Sequence, residues 1–297
     1  MHGATGYVNG TPSFPGAGGK GRMKYLATLT LIFAISSIVP RAQEPSPPAV
    51  DPLHRAFDTI LDTYVRDGLV YYRALKGERQ RFDAYVTALG DASVPATDRN
   101  KQLAFWINAY NAFVLRTVID YYPINGRAAM YPRNSIRQVP GAFEKRPFRA
   151  AGRTVTLDQI EKDIIVPLGD ARALLALGRG ALDGGRLKSE AYTADRVDAQ
   201  LDAIAKESVD RHELVNIDRA NGVLKVNPIF SWRESAFVEY YANKAPAEFQ
   251  QRSPLERAVL GLIRPTALQT ELDFLERNQF SMQFRDFDWR LNDLTGR

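Results

Sequence analysis

The chain has 297 residues, of which 45% are hydrophobic and 25% are charged, as in globular proteins that bury a sizeable core. It contains no cysteine, which excludes disulfides, thiolate nucleophiles and cysteine metal sites. The formal net charge of +5 owes much to four basic residues in a leading segment that has no acids, Lys20, Arg22, Lys24 and Arg41. The near-neutral remainder lacks the electrostatic footprint of a protein that binds nucleic acid or an anionic membrane.

The first 42 residues predict a leader. A glycine-rich stretch precedes Met23 and Lys24, and an apolar run of about 15 residues extends from Tyr25 to Val39. This order is typical of a secretory signal peptide, and the run is shorter than the roughly 20 residues of a membrane-spanning helix. We expect translation to start at Met23 and the leader either to be removed or to anchor the chain. The mature protein is expected to be periplasmic or secreted, with no stable transmembrane span after processing.

Residues 43–52 form a proline-rich spacer, and we expect residues 53–293 to form a single domain. Apolar side chains recur at helical spacing over residues 54–65, 78–89 and 103–122. The third of these helices is apolar on nearly every side, which predicts a central position in the domain. Pro123 ends it.

Two amides interrupt this apolar helix. Asn108 and Asn111 are three residues apart and therefore share a face. A buried amide costs free energy unless its donors and acceptors are paired. We therefore expect both side chains to be buried and hydrogen-bonded, with at least one tied to the backbone of a neighbouring loop.

Shorter elements follow. A hairpin is predicted around Ala151 and Gly152, and Thr156 with Gln159 forms a capping box that starts a short helix carrying Glu161. The remaining signals are, in chain order, a helix over residues 193–209, a hairpin at Asn221 and Gly222, a helix capped by Ser253 with Glu256, and an alternating strand near residue 282. Together they indicate an α+β fold, a predominantly helical single domain with short antiparallel hairpins.

The standard phosphate-binding, zinc-protease and nucleophile-elbow motifs are missing from the sequence. His54 and His212 each lie among charged residues with no second ligand nearby, so a solvated position is expected for both. Carboxylates are the remaining candidates for acid-base chemistry or cation binding, although charged residues on short helices more often form a solvated face. They are Asp158, Glu161 and Asp163 on the short helix, and Asp286, Asp288 and Asp293 near the end. Trp106 and Trp289 are expected to pack in the core.

Five segments in order, "LDTYVRDGLVYYRAL", "FWINAYNA", "GRTVTLDQIE", "SEAYTADRVDAQLD" and "FDWRLND", resemble the domain-of-unknown-function 547 family. The resemblance runs from about Leu53 to Asp293 and implies an exported bacterial protein. It also places a Cys/His cluster in positions where this chain differs. Lys162 and Leu174 stand where the family has histidines, and Arg179 and Gly184 stand where it has cysteines.

Cysteine and histidine close together suggest a thiolate nucleophile or a metal site, and Lys, Leu, Arg and Gly support neither chemistry. The sequence therefore predicts an uncharacterised, non-catalytic scaffold or binding member of the family, a pseudoenzyme. The alternative is a hydrolase that uses carboxylate and amide groups around Glu161, Asn108 and Asn111. Arg179 and Arg186 on the glycine loop are candidate anion-binding residues. No cofactor and no metal are predicted; the expected partner is a small molecule or a component of the cell envelope, and not nucleic acid.

Overall fold

A computed structural model describes residue 10, residues 51–212 and residues 214–295. The predicted signal peptide, the Met23 start and most of the spacer lie outside these residues. From residue 51 onward the described residues belong to one compact unit, Pro47–Arg297. Within the described part of the chain, no helix combines the length and apolarity needed to cross a bilayer.

The described α-helices are α1 (Arg55–Tyr64), α2 (Tyr72–Gly77), α3 (Gln80–Asp91), α4 (Arg99–Tyr121), α5 (Leu157–Gln159), α6 (Arg172–Leu175), α7 (Val197–Asp210), α8 (Ile229–Trp232), α9 (Glu234–Tyr241), α10 (Pro254–Ile263) and α11 (Gln269–Glu276). A π-helix (Ile160–Ile165) continues α5, and 3-10 turns occur at Ile136–Gln138, Val166–Leu168, Ala242–Lys244 and Ala247–Phe249. The strands are β1 (Val65–Arg66), β2 (Leu69–Val70), β3 (Phe148–Ala150), β4 (Arg153–Val155), β5 (Val215–Asp218), β6 (Val223–Val226) and β7 (Ser281–Phe284).

Helix α4 lies at the centre of the core, as its all-round apolar pattern predicts. From Leu103 to Leu115 every side chain on it is buried, including Trp106. The helix begins at Arg99, earlier than its apolar run, because the Asp98 side chain accepts a hydrogen bond from the Lys101 amide at 3.0 Å and caps the first turn. The bonds that fix loops to this helix therefore fix them to the interior of the domain.

The described residues also form three small sheets, which confirms the helix-dominated α+β class. β1 with β2, β3 with β4, and β5 with β6 are antiparallel pairs. The β3–β4 turn has positive φ at Ala151 (48°) and Gly152 (73°), as a two-residue hairpin requires. β7 adds to β6 in the parallel direction, which the hairpin pattern did not predict. Capping boxes at Thr156 and Ser253 are present as predicted.

The two ends of the described unit meet beside β2. The Val70 amide donates to the Asn292 carbonyl at 2.9 Å, and the Leu294 amide donates to the Val70 carbonyl at 3.0 Å. The hydroxyl of buried Tyr72 donates to the Asn292 side chain at 2.7 Å across 220 residues of sequence. The carboxyl-terminal motif "FDWRLND" thus closes the domain against its amino-terminal hairpin.

The expectation that His54 is solvated is wrong. Its side chain is 3% exposed, and Nδ1 lies 2.8 Å from the Tyr85 hydroxyl, with the Phe105 ring also in contact. Tyr85 and Phe105 are distant in sequence, so the charged neighbours of His54 gave no sign of this burial. His212 is exposed, as predicted. Burial lowers the pKa of His54 from 6.5 to about 4, although Asp51 acts in the opposite direction.

This lowered pKa predicts a stability that depends on pH. Below pH 6.5 the unfolded chain takes up a proton at His54 that the folded chain takes up only near pH 4, so stability is full above pH 6.5 and falls as the pH drops toward 4. We expect His54 to remove about 2 kcal/mol from the free energy of unfolding between pH 7.5 and 5. Urea denaturation of wild type and His54→Gln at the two pH values measures the difference. His212→Asn, at an exposed histidine, should keep the wild-type dependence; an equally steep dependence in His54→Gln contradicts the assignment.

Candidate functional site

Asn108 and Asn111 are buried and bound to backbone, which confirms the prediction made for them. The Asn108 amide donates to the Tyr192 carbonyl and its oxygen accepts from the Tyr192 amide, both at 2.9 Å. Asn111 does the same for the loop before it, donating to Ala176 O at 3.0 Å and accepting from Gly178 N at 2.8 Å. Each side chain thus pairs with two backbone groups of a segment that has no regular secondary structure.

A third amide completes this arrangement. Gln200 on α7 donates to the Ala191 carbonyl and accepts from the Thr193 amide, both at 3.0 Å. Residues 191–193 are therefore held between α4 and α7. Sequence reasoning missed Gln200, although its place beside the buried Val197 and Leu201 of an amphipathic helix was a usable signal.

Glu161 lies in the π-helix that follows α5, a distortion often found at functional sites. It is 4% exposed. Its Oε1 accepts a hydrogen bond from Arg179 Nη2 at 2.9 Å and lies 3.0 Å from Arg233 Nε, while the Tyr110 hydroxyl is 3.5 Å from Oε2. Burial, with the Glu161 carboxylate, raises the pKa of Tyr110 above its usual range, so the phenol stays protonated and donates.

Arg179 is buried, and its backbone has a positive φ of 39°. Besides Glu161, its guanidinium donates to the Leu174 and Leu177 carbonyls at 3.2 and 3.1 Å. Burial is the largest single influence and disfavours its charge, but the charge and the hydrogen bond of Glu161, together with other nearby acidic groups, outweigh it and raise the pKa of Arg179. Arg179 therefore ties the π-helix to the loop after α6 through a buried, charge-assisted contact.

A model of the family described as "Protein of unknown function, DUF547" matches residues 94–209. The match covers less than half of the chain and supports the resemblance to the DUF547 family seen in the sequence. The match contains α4, the π-helix and nearly all of α7, and hence Asn108, Asn111 and Glu161. The first and last of the five resembling segments lie outside it. No curated protein and no solved structure matches the chain.

The DUF547 segment fills the positions of the expected Cys/His cluster with groups of other chemistry. Lys162 is exposed and pairs with Asp158 at 2.5 Å, whereas Leu174 is buried. A Cβ atom at Gly184 would lie 2.5 Å from the Gly178 carbonyl oxygen, closer than real Cβ contacts. Loop backbone therefore occupies the space that a cysteine side chain, which the resemblance places at residue 184, would need.

The other candidate carboxylates do not converge on Glu161. Asp163 is exposed and Asp288 pairs with Arg290. Asp293 accepts a hydrogen bond from the Tyr122 hydroxyl at 2.7 Å, in the closure beside β2. Among the described residues no group of three histidine, aspartate or glutamate side chains is placed to hold a metal ion.

Arg179 and Arg186, the candidate anion-binding pair, contact different acids. Arg179 faces Glu161, and Arg186 contacts Asp67 and, at 3.5 Å, Glu207. Anion binding by this pair stays a prediction. Arg233, which the sequence analysis missed, reaches Glu161 from the start of α9, and no local sequence signal links the two.

The Asn108 contact predicts a stability cost when the amide is lost. In Asn108→Leu the Tyr192 amide and carbonyl stay buried without partners, which should lower the free energy of unfolding by about 1–3 kcal/mol. Chemical denaturation measures this. Asn100→Leu, at an exposed position in the first turn of the same helix, is the matched control and should change stability by less than about 0.5 kcal/mol. Equal effects of the two substitutions would contradict the role assigned to Asn108.

Proposed function

We propose that this chain is an exported, non-catalytic member of the DUF547 family whose buried polar residues hold a scaffold together and whose surface binds a partner. The observation that carries the proposal is the engagement of every candidate catalytic group by the protein itself. In Asn108 and Asn111, both the amide nitrogen and the amide oxygen are hydrogen-bonded to backbone. Glu161 is surrounded by Arg179, Arg233 and Tyr110. A general base or an amide donor for a substrate needs a free lone pair or N–H in reach of the substrate.

The residues that line the surface cavities support the same proposal. Four cavities on the described surface, of which the largest has a volume of about 680 Å³, have no lining from Asn108, Asn111 or Glu161. A catalytic site combines concave open volume with convergent polar groups. Asn108, Asn111 and Glu161 are instead buried among their partners in the protein.

The test against the hydrolase alternative is a turnover assay with a panel of chromogenic esters and peptides. We expect the purified protein to hydrolyse none of them above the buffer rate, and Glu161→Gln to behave in the same way. Asp163→Asn is the matched control, since it removes an exposed carboxylate two residues away. Circular dichroism checks that each variant is folded.

Turnover by the natural protein that disappears in folded Glu161→Gln, and persists in Asp163→Asn, would replace the scaffold proposal with the carboxylate hydrolase. Turnover that survives Glu161→Gln would also reject the non-catalytic proposal and move the chemistry elsewhere.

The export part of the proposal rests on the lysine-flanked apolar run between Lys24 and Val39. We expect the full-length gene product to be recovered from the periplasm or the medium, with its amino terminus beyond residue 39. Cell fractionation with amino-terminal sequencing measures both. A deletion of residues 25–39 is the control and should leave the protein in the cytoplasm. Recovery of the intact chain from the cytoplasm would overturn this part of the proposal.

A further inference from the structure

Five aromatic side chains from three parts of the chain form one cluster, which extends from the buried Phe143 to the exposed Trp232; we call them the aromatic platform. Trp232, at the end of α8, stacks on Trp289 with ring centroids 5.9 Å apart and planes 16° from parallel. Phe287 contacts both rings, at 4.8 and 4.4 Å. Tyr131 and Phe143 approach Trp289 edge-on at 6.1 and 6.0 Å. Trp289 is partly buried and packs against the core, whereas Trp232 is 37% exposed.

The platform is held in place from the glycine loop. The Asp183 carboxylate accepts a hydrogen bond from the Asp288 amide at 2.6 Å and another from Arg285 at 2.9 Å. The Leu182 amide donates to the Arg290 carbonyl at 2.9 Å. These bonds fix the backbone on both sides of Trp289, so a ligand that stacks there does not have to order it.

Hydrogen-bonding groups border the rings. The Arg137 guanidinium lies 4.4 Å from the Phe143 ring centre and 4.6 Å from that of Trp289, and its Nη1 donates to Glu144. Arg233, next to Trp232, is directed toward the buried Glu161 and is not counted among these groups. Within the described residues, Arg137 Nη2 donates no hydrogen bond to the protein, and the exposed Asp286 carboxylate accepts none. The border therefore offers both donors and an acceptor.

We propose that the aromatic platform binds a neutral glycan chain. A pyranose ring has an apolar C–H face that packs flat on an indole, and hydroxyl groups around its rim that both donate and accept hydrogen bonds. Such a ligand matches stacked, half-exposed rings flanked by guanidinium and carboxylate groups. The inference rests on the proposed function, because it names the partner that a non-catalytic surface would hold.

Nucleobases also stack on aromatic rings, but charge disfavours a nucleic acid here. Arg137 and Arg290 are paired with the Glu144 and Asp288 carboxylates, and Asp286 adds an exposed carboxylate to the same loop. The platform therefore lacks the excess of positive charge that binds phosphates. Uncharged sugar hydroxyls do not need such an excess.

The experiment titrates the protein with cellohexaose, chitohexaose and xylohexaose and follows tryptophan fluorescence. Trp232 and Trp289 are two of the three tryptophans in the chain, and Trp106 is buried elsewhere, so the signal reports on the platform. We expect saturable binding of at least one hexasaccharide. By calorimetry, Trp232→Ala should weaken that binding about tenfold or more, and Trp232→Phe should weaken it less. Tyr121→Ala, which removes an exposed aromatic ring outside the platform, is the matched control and should bind like wild type.

Different results would reject the glycan site and the non-catalytic function. If no hexasaccharide binds, or if folded Trp232→Ala binds as tightly as wild type, the platform is not a glycan site. Binding of oligo(dT) in place of the sugars would assign it to single-stranded nucleic acid instead and overturn the inference. New reducing ends in the bound hexasaccharide would reject the non-catalytic proposal while leaving the glycan site in place.

Discussion

Buried amide side chains on α4 and α7 replace the secondary structure that residues 176–193 lack. A chain segment without helix or strand leaves its backbone amides and carbonyls unpaired. Burying unpaired groups costs more free energy than most packing contacts contribute. Asn108, Asn111 and Gln200 each supply a donor and an acceptor at the spacing of a backbone amide. This pairing lets an irregular loop lie against the most apolar helix of the protein.

The same loop decides where charge can be buried. Once residues 176–178 are fixed on α4, Arg179 enters the interior and meets Glu161 of the π-helix. Removing either partner of such a pair strands a buried charge, whereas the pair itself adds little net stability. The contact therefore specifies the arrangement of the loop more than it stabilises the domain. A guanidinium at this position also occupies volume that a smaller thiol or imidazole would leave open.

Periodicity and local motifs predicted whatever depends on near neighbours. The central helix, the caps at Thr156 and Ser253, the hairpins and the backbone bonds of the two asparagines all follow from patterns within a few residues. The features that sequence reasoning missed depend on partners far along the chain. His54 is buried against Tyr85, and Trp289 stacks on Trp232. No local pattern reports such pairings, because the topology that creates them is a property of the whole fold.

The closure of the domain beside β2 has a kinetic consequence. Val70 pairs with residues near 292 and 294, so the amino-terminal hairpin cannot complete its hydrogen bonds until almost the entire chain is available. Contacts of such long sequence separation slow folding, because the entropy of loop closure is lost before the contact forms. The two ends of the domain therefore lock together only after the segment near residue 292 is available.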